Sequence, residues 1–323
     1  MSNPTTTVAS SNRSDAPPAA SYPAASRSTR RKPPRGRNDR AAYLFLLPWF
    51  VGMLFTIIPF FASLYLAFTD YNLLTTPEWI GLQNFTEMLE DERLHQALKV
   101  TFVYTFVSVP ISLVVALAVA MLLNRGIRGL AFYRSVYYLP SLLGSSVAVV
   151  MLWRYVFGLD GIVNRFLGFF GITGPSWVAD PSFALSTLIT LNVWTFGSAM
   201  VIFLAALRQI PQMYYEAAAV DGAGRFRQFW SVTLPLLSPI VFFNLVLGLI
   251  NSFQTFTQGY VLSNGSGGPA DSTLFYNLYL YQKGFTNFEM GYASAMAWVL
   301  LLIIAGFTAV NFIASRYWVF YDN

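Results

Sequence analysis

The sequence predicts an all-α membrane protein of six transmembrane helices with both termini in the cytoplasm. Three observations carry that prediction. Of 323 residues, 55% are hydrophobic and only 11% are charged, where a soluble domain carries about 25% charged residues. The apolar residues fall into six runs, each long enough to cross a hydrocarbon core about 30 Å thick at about 1.5 Å of helix per residue. The arginines collect in alternate loops, the distribution expected when those loops stay on the cytoplasmic side.

In chain order, residues 1–40 are rich in Ser, Thr, Pro, Ala and Arg and offer almost nothing apolar to bury. They are expected to form a disordered basic arm, and without an apolar stretch they do not form a cleavable signal peptide. Arg27, Arg30, Arg31, Lys32, Arg35, Arg37 and Arg40 directly precede the first apolar run. Beside a membrane span such a cluster anchors the N-terminus inside and touches anionic lipid, and no nucleic-acid partner is expected. Residues 41–97 hold the first span, about 43–68, and an outer loop. Residues 98–315 form a core of five further spans, at about 100–123, 136–157, 183–207, 236–258 and 290–315, with a cytoplasmic loop at 208–235. Residues 316–323 make a cytoplasmic tail. Pro48 and Pro59 interrupt the first run, which a lipid-embedded helix tolerates.

Orientation follows from charge. Arg125, Arg128 and Arg134 share one loop, Arg208, Arg225 and Arg227 another, and Arg316 lies in the tail. The opposite loops carry Asp70, Glu78, Glu87, Glu90, Asp91, Glu92, Asp160, Asp180 and Asp271. The loop containing Glu216 therefore falls in the cytoplasm.

Several chemistries are excluded. With no cysteine there is no disulfide framework and no thiolate nucleophile or metal ligand. The single histidine, His95, sits between charged residues and reads as a solvated loop residue. Lys32, Lys99 and Lys283 do not follow glycine, so no Gly-Lys-Ser/Thr phosphate loop exists. The chain is expected to hold no metal or cofactor and not to hydrolyse ATP itself. The spans also lack a carboxylate in their interiors, which a proton- or sodium-coupled carrier would need; Arg154 and Glu289 lie near outer ends.

One stretch is unlike the rest. From Pro211 through Glu216, Ala217, Ala218 and Ala219 to Asp221-Gly222, it reads as a helix of about three turns that opens at proline and stops at glycine. Gly224 permits a second bend, and Leu234-Pro235 opens the next apolar run. Taken alone, this pattern fits an amphipathic helix on the bilayer surface, or a small-faced helix gripped by a partner's groove.

The spacing of Glu216-Ala217-Ala218, Gly222, Val232 and Leu234-Pro235 resembles the cytoplasmic-loop signature of permease subunits in binding-protein-dependent ABC importers. The resemblance is to the maltose, glycerol-3-phosphate and lactose type, with Val232 where isoleucine is usual. Gly81-Leu82-Gln83-Asn84-Phe85 and the Asn264–Pro269 turn are also similar to that family, the latter with Ser266-Gly267 inserted. The resemblance implies a type I ABC importer permease fold in a bacterial inner membrane. It implies a second homologous permease as heterodimer partner, two ATP-binding subunits that bind ATP and magnesium, and an extracytoplasmic solute-binding protein. It further implies that Glu216, Ala217, Ala218, Asp221, Gly222, Leu234 and Pro235 couple to the ATPase, with Glu216 pairing to a basic residue there.

The solute path is read from polar residues in the spans. Asn244, Asn251 and Gln258 recur every seven residues and so share one face of the fifth span, with Gln254 and Thr255 between them. Phe253, Phe256 and Tyr260 interleave, and the fourth span adds Asn192, Trp194 and Thr195. Amides beside aromatic rings suit the hydroxyls and C–H faces of a carbohydrate. Such amides also bond helix to helix, so packing stands beside the path reading. Two other functions stay open at this point: a passive channel or facilitator acting alone, and a scaffold that transports nothing.

Overall fold

The computed structural model describes residues 39–126, 128–144 and 146–320. The basic arm ahead of Asp39 and the end of the tail lie outside the described residues. The described residues fall into two units, divided between Phe55 and Thr56. Among the described residues, five helical segments are long and apolar enough to cross a membrane, and a sixth is present if one sharply bent pair counts as a single span.

Helix α1, Asp39–Leu66, is apolar on every face, as a helix surrounded by lipid is. It begins two residues inside the segment assigned to the arm. The loop after it is ordered. Strands β1 (Thr69–Asp70) and β2 (Glu78–Trp79) pair antiparallel, and helix α2 follows at Gln83–Glu90. Buried Asn84 holds the corner, its Nδ2 donating to the carbonyls of Ala67 at 2.9 Å and Thr69 at 3.0 Å.

Helix α3, Glu92–Leu123, starts two turns before the expected Val100. The cause is a cap: the Asp91 carboxylate accepts from the N–H groups of Arg93 and Leu94. Fully buried Ala97, Ala116 and Ala120 let other backbones approach α3 closely.

The expected continuous third span is two helices, α4 (Leu130–Leu143) and α5 (Val147–Val156), bent by 100°. Ser146 starts α5 afresh, its hydroxyl accepting from the Val149 N–H at 3.3 Å. A short helix α6 (Ile162–Gly168) precedes α7 (Pro181–Trp194), which Asp180 caps. Helix α8 (Gly197–Leu207) continues the fourth span after a break at Thr195-Phe196. Gly197 is required there, because a Cβ would run into the backbone of Tyr137 and Tyr138.

Beyond the connecting helix α9 (Gln212–Val220), helix α10 (Arg225–Gln228), a π-helical turn (Phe229–Thr233) and α11 (Leu234–Phe253) form one uninterrupted segment. Helical backbone thus begins eleven residues before the expected start at Leu236. Pro235 has no N–H and its ring crowds the preceding turn; the wider π turn absorbs both effects. Helix α11 also ends early, at Phe253, and a new helix α12 runs Thr257–Ser263. Helix α13 (Tyr276–Tyr281) passes through a second π turn toward the last long helix, α14 (Met290–Trp318).

Helix α3 is the central post, packing against α7, α8, α11 and α13. Leu94, Tyr104, Phe275, Tyr276 and Met296 belong to one core cluster, and Leu123, Met200, Phe203 and Leu237 to another.

Candidate functional site

The connecting segment is built by its ends. Pro211 has extended backbone (φ −61°, ψ 136°) and is the N-cap rather than the first helical residue, so α9 has nine residues. Gly222 adopts φ +77°. Its N–H donates to the Ala219 carbonyl at 3.0 Å and the Ala223 N–H to the Ala218 carbonyl at 2.9 Å, the paired bonds of a Schellman turn. Gly224 sits at φ −67°, a value open to any residue. The helix is pinned to its neighbour by the hydroxyls of Tyr215 and buried Thr233, 3.0 Å apart. Gln228 Nε2 closes the loop on the Ala223 carbonyl at 2.9 Å.

None of the nine residues of α9 is buried. Glu216, Ala217, Asp221 and Gly222 are exposed, Ala218 is half-buried, and Leu234 and Pro235 are half-buried where the long helix passes beneath. Val220 is 88% exposed and Phe226 79% exposed, so the segment offers its apolar as well as its polar groups outward.

A second locus lies where three helices are interrupted. The break between α4 and α5 meets the break at Thr195-Phe196, and α12, which follows the break at 254–256, reaches the same place. A cavity of about 120 Å³ is lined by Ser141, Gly144, Leu191, Asn192, Thr195 and Gln258. The buried Tyr104 hydroxyl lies beside the side chains of Asn192, on α7, and Thr255, at the third break. A Cβ at Gly144 would overlap the Thr195 methyl group, so the breaks are in close contact. Irregular backbone at such depth persists where it lines a cavity and finds other partners.

The seven-residue stripe expected on the fifth span is corrected by the end of α11 at Phe253. Asn244 is buried and gives its Nδ2 to the Ile240 carbonyl of its own helix at 2.8 Å, which is packing. Asn251 is exposed. Gln254 lines a different groove, of about 390 Å³, with Asn277, Leu280 and Ala297. Gln258 reaches the small cavity from α12. Tyr260, farther along α12, packs against Phe256 and Tyr281 with ring centroids 5.3 and 5.7 Å away. Trp194 lies 5.5 Å from Trp153. The structure therefore unites Asn192 and Gln258 and separates Asn244, Asn251, Gln254 and Tyr260 from them. Ser141, Tyr104 and Asn277 were missed. Gly144-Ser145-Ser146, a turn-like triplet inside an apolar run, was the available signal for the first break.

The charged groups gather around the start of α3. Asp91 Oδ2 accepts from the hydroxyls of Tyr279 at 2.7 Å and Tyr292 at 2.8 Å. Lys283 pairs with Glu289 at 2.8 Å and lies 4.7 Å from the Tyr292 ring centre. Arg93 pairs with Asp271 at 2.9 Å. Partial burial opposes the Asp91 charge. Hydrogen bonds from Tyr279, Tyr292 and the Leu94 N–H, with the Lys283 ammonium, outweigh it and hold the carboxyl below its usual range.

Residues 97–318 match the family of binding-protein-dependent transport system inner membrane components. The chain belongs to that family. This permease is 52% identical over 290 residues to the probable ABC transporter permease protein YesP of Bacillus subtilis (strain 168), covering 89% of this chain and 94% of that one. It is 33% identical over 285 residues to the lactose transport system permease protein LacF of Rhizobium radiobacter, with 86% and 95% covered. A crystal structure of a bacterial ABC transporter that imports the acidic polysaccharide alginate shares its fold, with a TM-score of 0.70 at 23% identity and 86% and 96% covered. The permease is a multi-pass membrane protein and a non-catalytic subunit; ATP hydrolysis resides in a separate subunit. Membership decides against the facilitator acting alone.

Proposed function

We propose that this permease forms half of the path by which an ABC importer takes a carbohydrate across a bacterial inner membrane. A second, homologous permease completes the path, two ATP-binding subunits hold ATP and magnesium on the cytoplasmic side, and an extracytoplasmic solute-binding protein delivers the solute. Six spans with both termini inside agree with the arginine distribution, with α4 and α5 as one broken span. Relatives named for lactose, trehalose/maltose and starch-product transport support a carbohydrate as solute.

The observation that carries this reading is α9, a capped helix with no buried residue at the foot of a long continuous helix. A short helix is marginal in water and is usually held by packing; here the packing surface is left to a partner. Its alanines present a face small enough for a cleft, Glu216 is free to meet a basic residue, and Gly222 fixes the exit turn. Closure of the ATPase pair would drag α9 and, through the Tyr215–Thr233 bond, tilt the long helix. At its far end lies the three-break cavity, whose Asn192, Gln258, Ser141 and Thr195 would meet solute hydroxyls.

Because the chain has no cysteine, Ala219→Cys supplies a unique label site. Modification by a membrane-impermeant maleimide is expected only in inside-out vesicles; modification in intact cells overturns the reading. Gly222→Trp should abolish uptake by the assembled transporter while the chain stays in the membrane, and unimpaired uptake would refute docking.

A further inference from the structure

The permease carries a cation that its own acids leave unused. Arg93 is neutralised by Asp271 and Lys283 by Glu289, whereas Lys99, Arg154 and Arg165 have no ion pair among the described residues. Arg154, on the apolar helix α5, has no carboxylate within ion-pair distance among the described residues. Its one hydrogen bond there is from Nη1 to the Asn264 Oδ1, at 2.7 Å. Asn264 ends α12 in the left-handed conformation (φ 53°), and Gly265 follows at φ 80°. This turn is fixed from two sides: Gln282 Nε2 donates to the Gly265 carbonyl at 2.6 Å, and the Tyr260 ring lies against Gly265 so closely that a Cβ would be 3.1 Å from it. Arg154 is thus held by a built turn, through a neutral amide, and as a residue it is exposed.

Beside it stands an aromatic shelf. Tyr260 contacts Phe256 and Tyr281, and Tyr281 stacks on Phe285 with centroids 5.3 Å apart. Tyr260 is 38% and Phe285 58% exposed. Flat rings next to amide groups take the C–H faces and hydroxyls of a pyranose. A guanidinium adds something a neutral sugar cannot use: a planar fork that pairs with a carboxylate through two parallel bonds. Charged side chains on membrane helices persist where they meet a solute or a partner charge.

We propose that Arg154, positioned by Asn264 next to Tyr260 and Tyr281, binds the carboxylate of an acidic sugar at the outer mouth of the path, so that the solute is a uronate-bearing oligosaccharide. This rests on the carbohydrate-importer reading and narrows it.

The test uses the complete transporter, with both permeases, the ATPase pair and the binding protein, in phosphatidylcholine vesicles with and without anionic lipid. Two radiolabelled probes differ only in their carboxylates: digalacturonate and galactobiose. Wild type should take up digalacturonate at least tenfold faster. Arg154→Gln should lower digalacturonate uptake by tenfold or more and leave the slow galactobiose rate within twofold, and Arg154→Lys should restore a large part of the loss. Chain level in the vesicles is measured for each variant. Equal loss of both probes, or no loss, overturns the proposal, as does a loss that appears only with anionic lipid, which would pair Arg154 with phosphate head groups. Wild-type uptake of galactobiose alone overturns it and leaves the carbohydrate importer standing; uptake of neither, with glycerol 3-phosphate carried instead, overturns both.

Discussion

Replacing Asp91 tests how the start of α3 is held. The carboxylate makes four hydrogen bonds, to two N–H groups that begin the helix and to the hydroxyls of Tyr279 and Tyr292 from two other elements. Losing a helix cap costs about 1 kcal/mol, and each bond to an ionised group contributes about 1.5–3 kcal/mol. Asp91 is only half-buried and water can take up part of the loss, so Asp91→Ala should cost about 3–5 kcal/mol. Asp91→Asn keeps the cap and forfeits charge, costing about 1–2 kcal/mol. For a chain of this size the alanine variant should melt about 6–20 °C lower, at about 2–4 °C per kcal/mol. The pH dependence has a definite sign. A carboxyl whose pKa is lowered by folding contributes stability above its unfolded value, near 3.8, and loses it as pH falls through the folded one. The gap between wild type and Asp91→Asn should therefore stay constant from pH 7 to 5 and close below about pH 4. Thermal melts of the purified permease, followed by tryptophan fluorescence across that range, measure this. A gap that persists unchanged at pH 3, or an alanine variant no worse than asparagine, would refute the reasoning.

Gly222 has open space where a Cβ would stand, so small substitutions act through the backbone alone. Gly222→Ala should disfavour the Schellman turn by about 1–2 kcal/mol, while Gly222→Asn, which tolerates that conformation, should keep most uptake; equal loss in both would sink the turn argument. Gly291 faces the Thr69 carbonyl and donates its N–H to Tyr71 at 3.0 Å. Gly291→Ala should cost about 1–3 kcal/mol by overpacking, whereas Gly306→Ala, with nothing nearby, should be neutral or gain up to about 1 kcal/mol; melting both variants compares them. The buried Thr105 hydroxyl has no hydrogen-bond partner among the described residues, so Thr105→Val should stabilise by about 1 kcal/mol, and a lower melting temperature would show that the hydroxyl is used.

Much of this was legible in the sequence because lipid imposes one rule along each apolar run. The turn at Asp221-Gly222 was legible for a local reason: glycine just past a run of alanines is how a helix closes. Two kinds of feature were not. Helices that outrun their apolar runs, α3 from Glu92 and the long helix from Arg225, carry charges that read as loop, although Asp91 two residues ahead of Arg93 was a usable cap signal. The breaks were hidden more deeply. Phe253-Gln254-Thr255-Phe256 contains neither glycine nor proline, so nothing local interrupts a helix there. The N–H groups of Gln254 and Thr255 turn back to the carbonyls of Ile250 and Ser252, and buried Tyr104, about 150 residues earlier in the chain, lies beside the side chains of Thr255 and Asn192. The heptad spacing of Asn244, Asn251 and Gln258 presumed a continuity that tertiary contacts override.

The proposed transmission from α9 to the cavity would need a rod that does not fold at its root, and the long helix has two prolines there. Pro239 frees the carbonyl of Pro235, and the Ser238 hydroxyl answers it at 2.6 Å; the same hydroxyl accepts from the Phe320 N–H at 2.9 Å, bringing the chain's end against the helix as a brace. Pro235 would clash with the turn before it, and the π turn at Phe229–Thr233 opens to receive it, with the Leu234 N–H reaching back to the Phe229 carbonyl. From Arg225 to Phe253 the rod has 29 residues, about 43 Å at 1.5 Å per residue. The hydroxyl pair Tyr215–Thr233 joins α9 to it at the π turn. In the proposed coupling, a displacement at α9 would turn the rod about that point of attachment. Its far end stops at the break that opens toward Gln258 and Asn192, so the residues that end the helix early are also the ones such a rotation would move most.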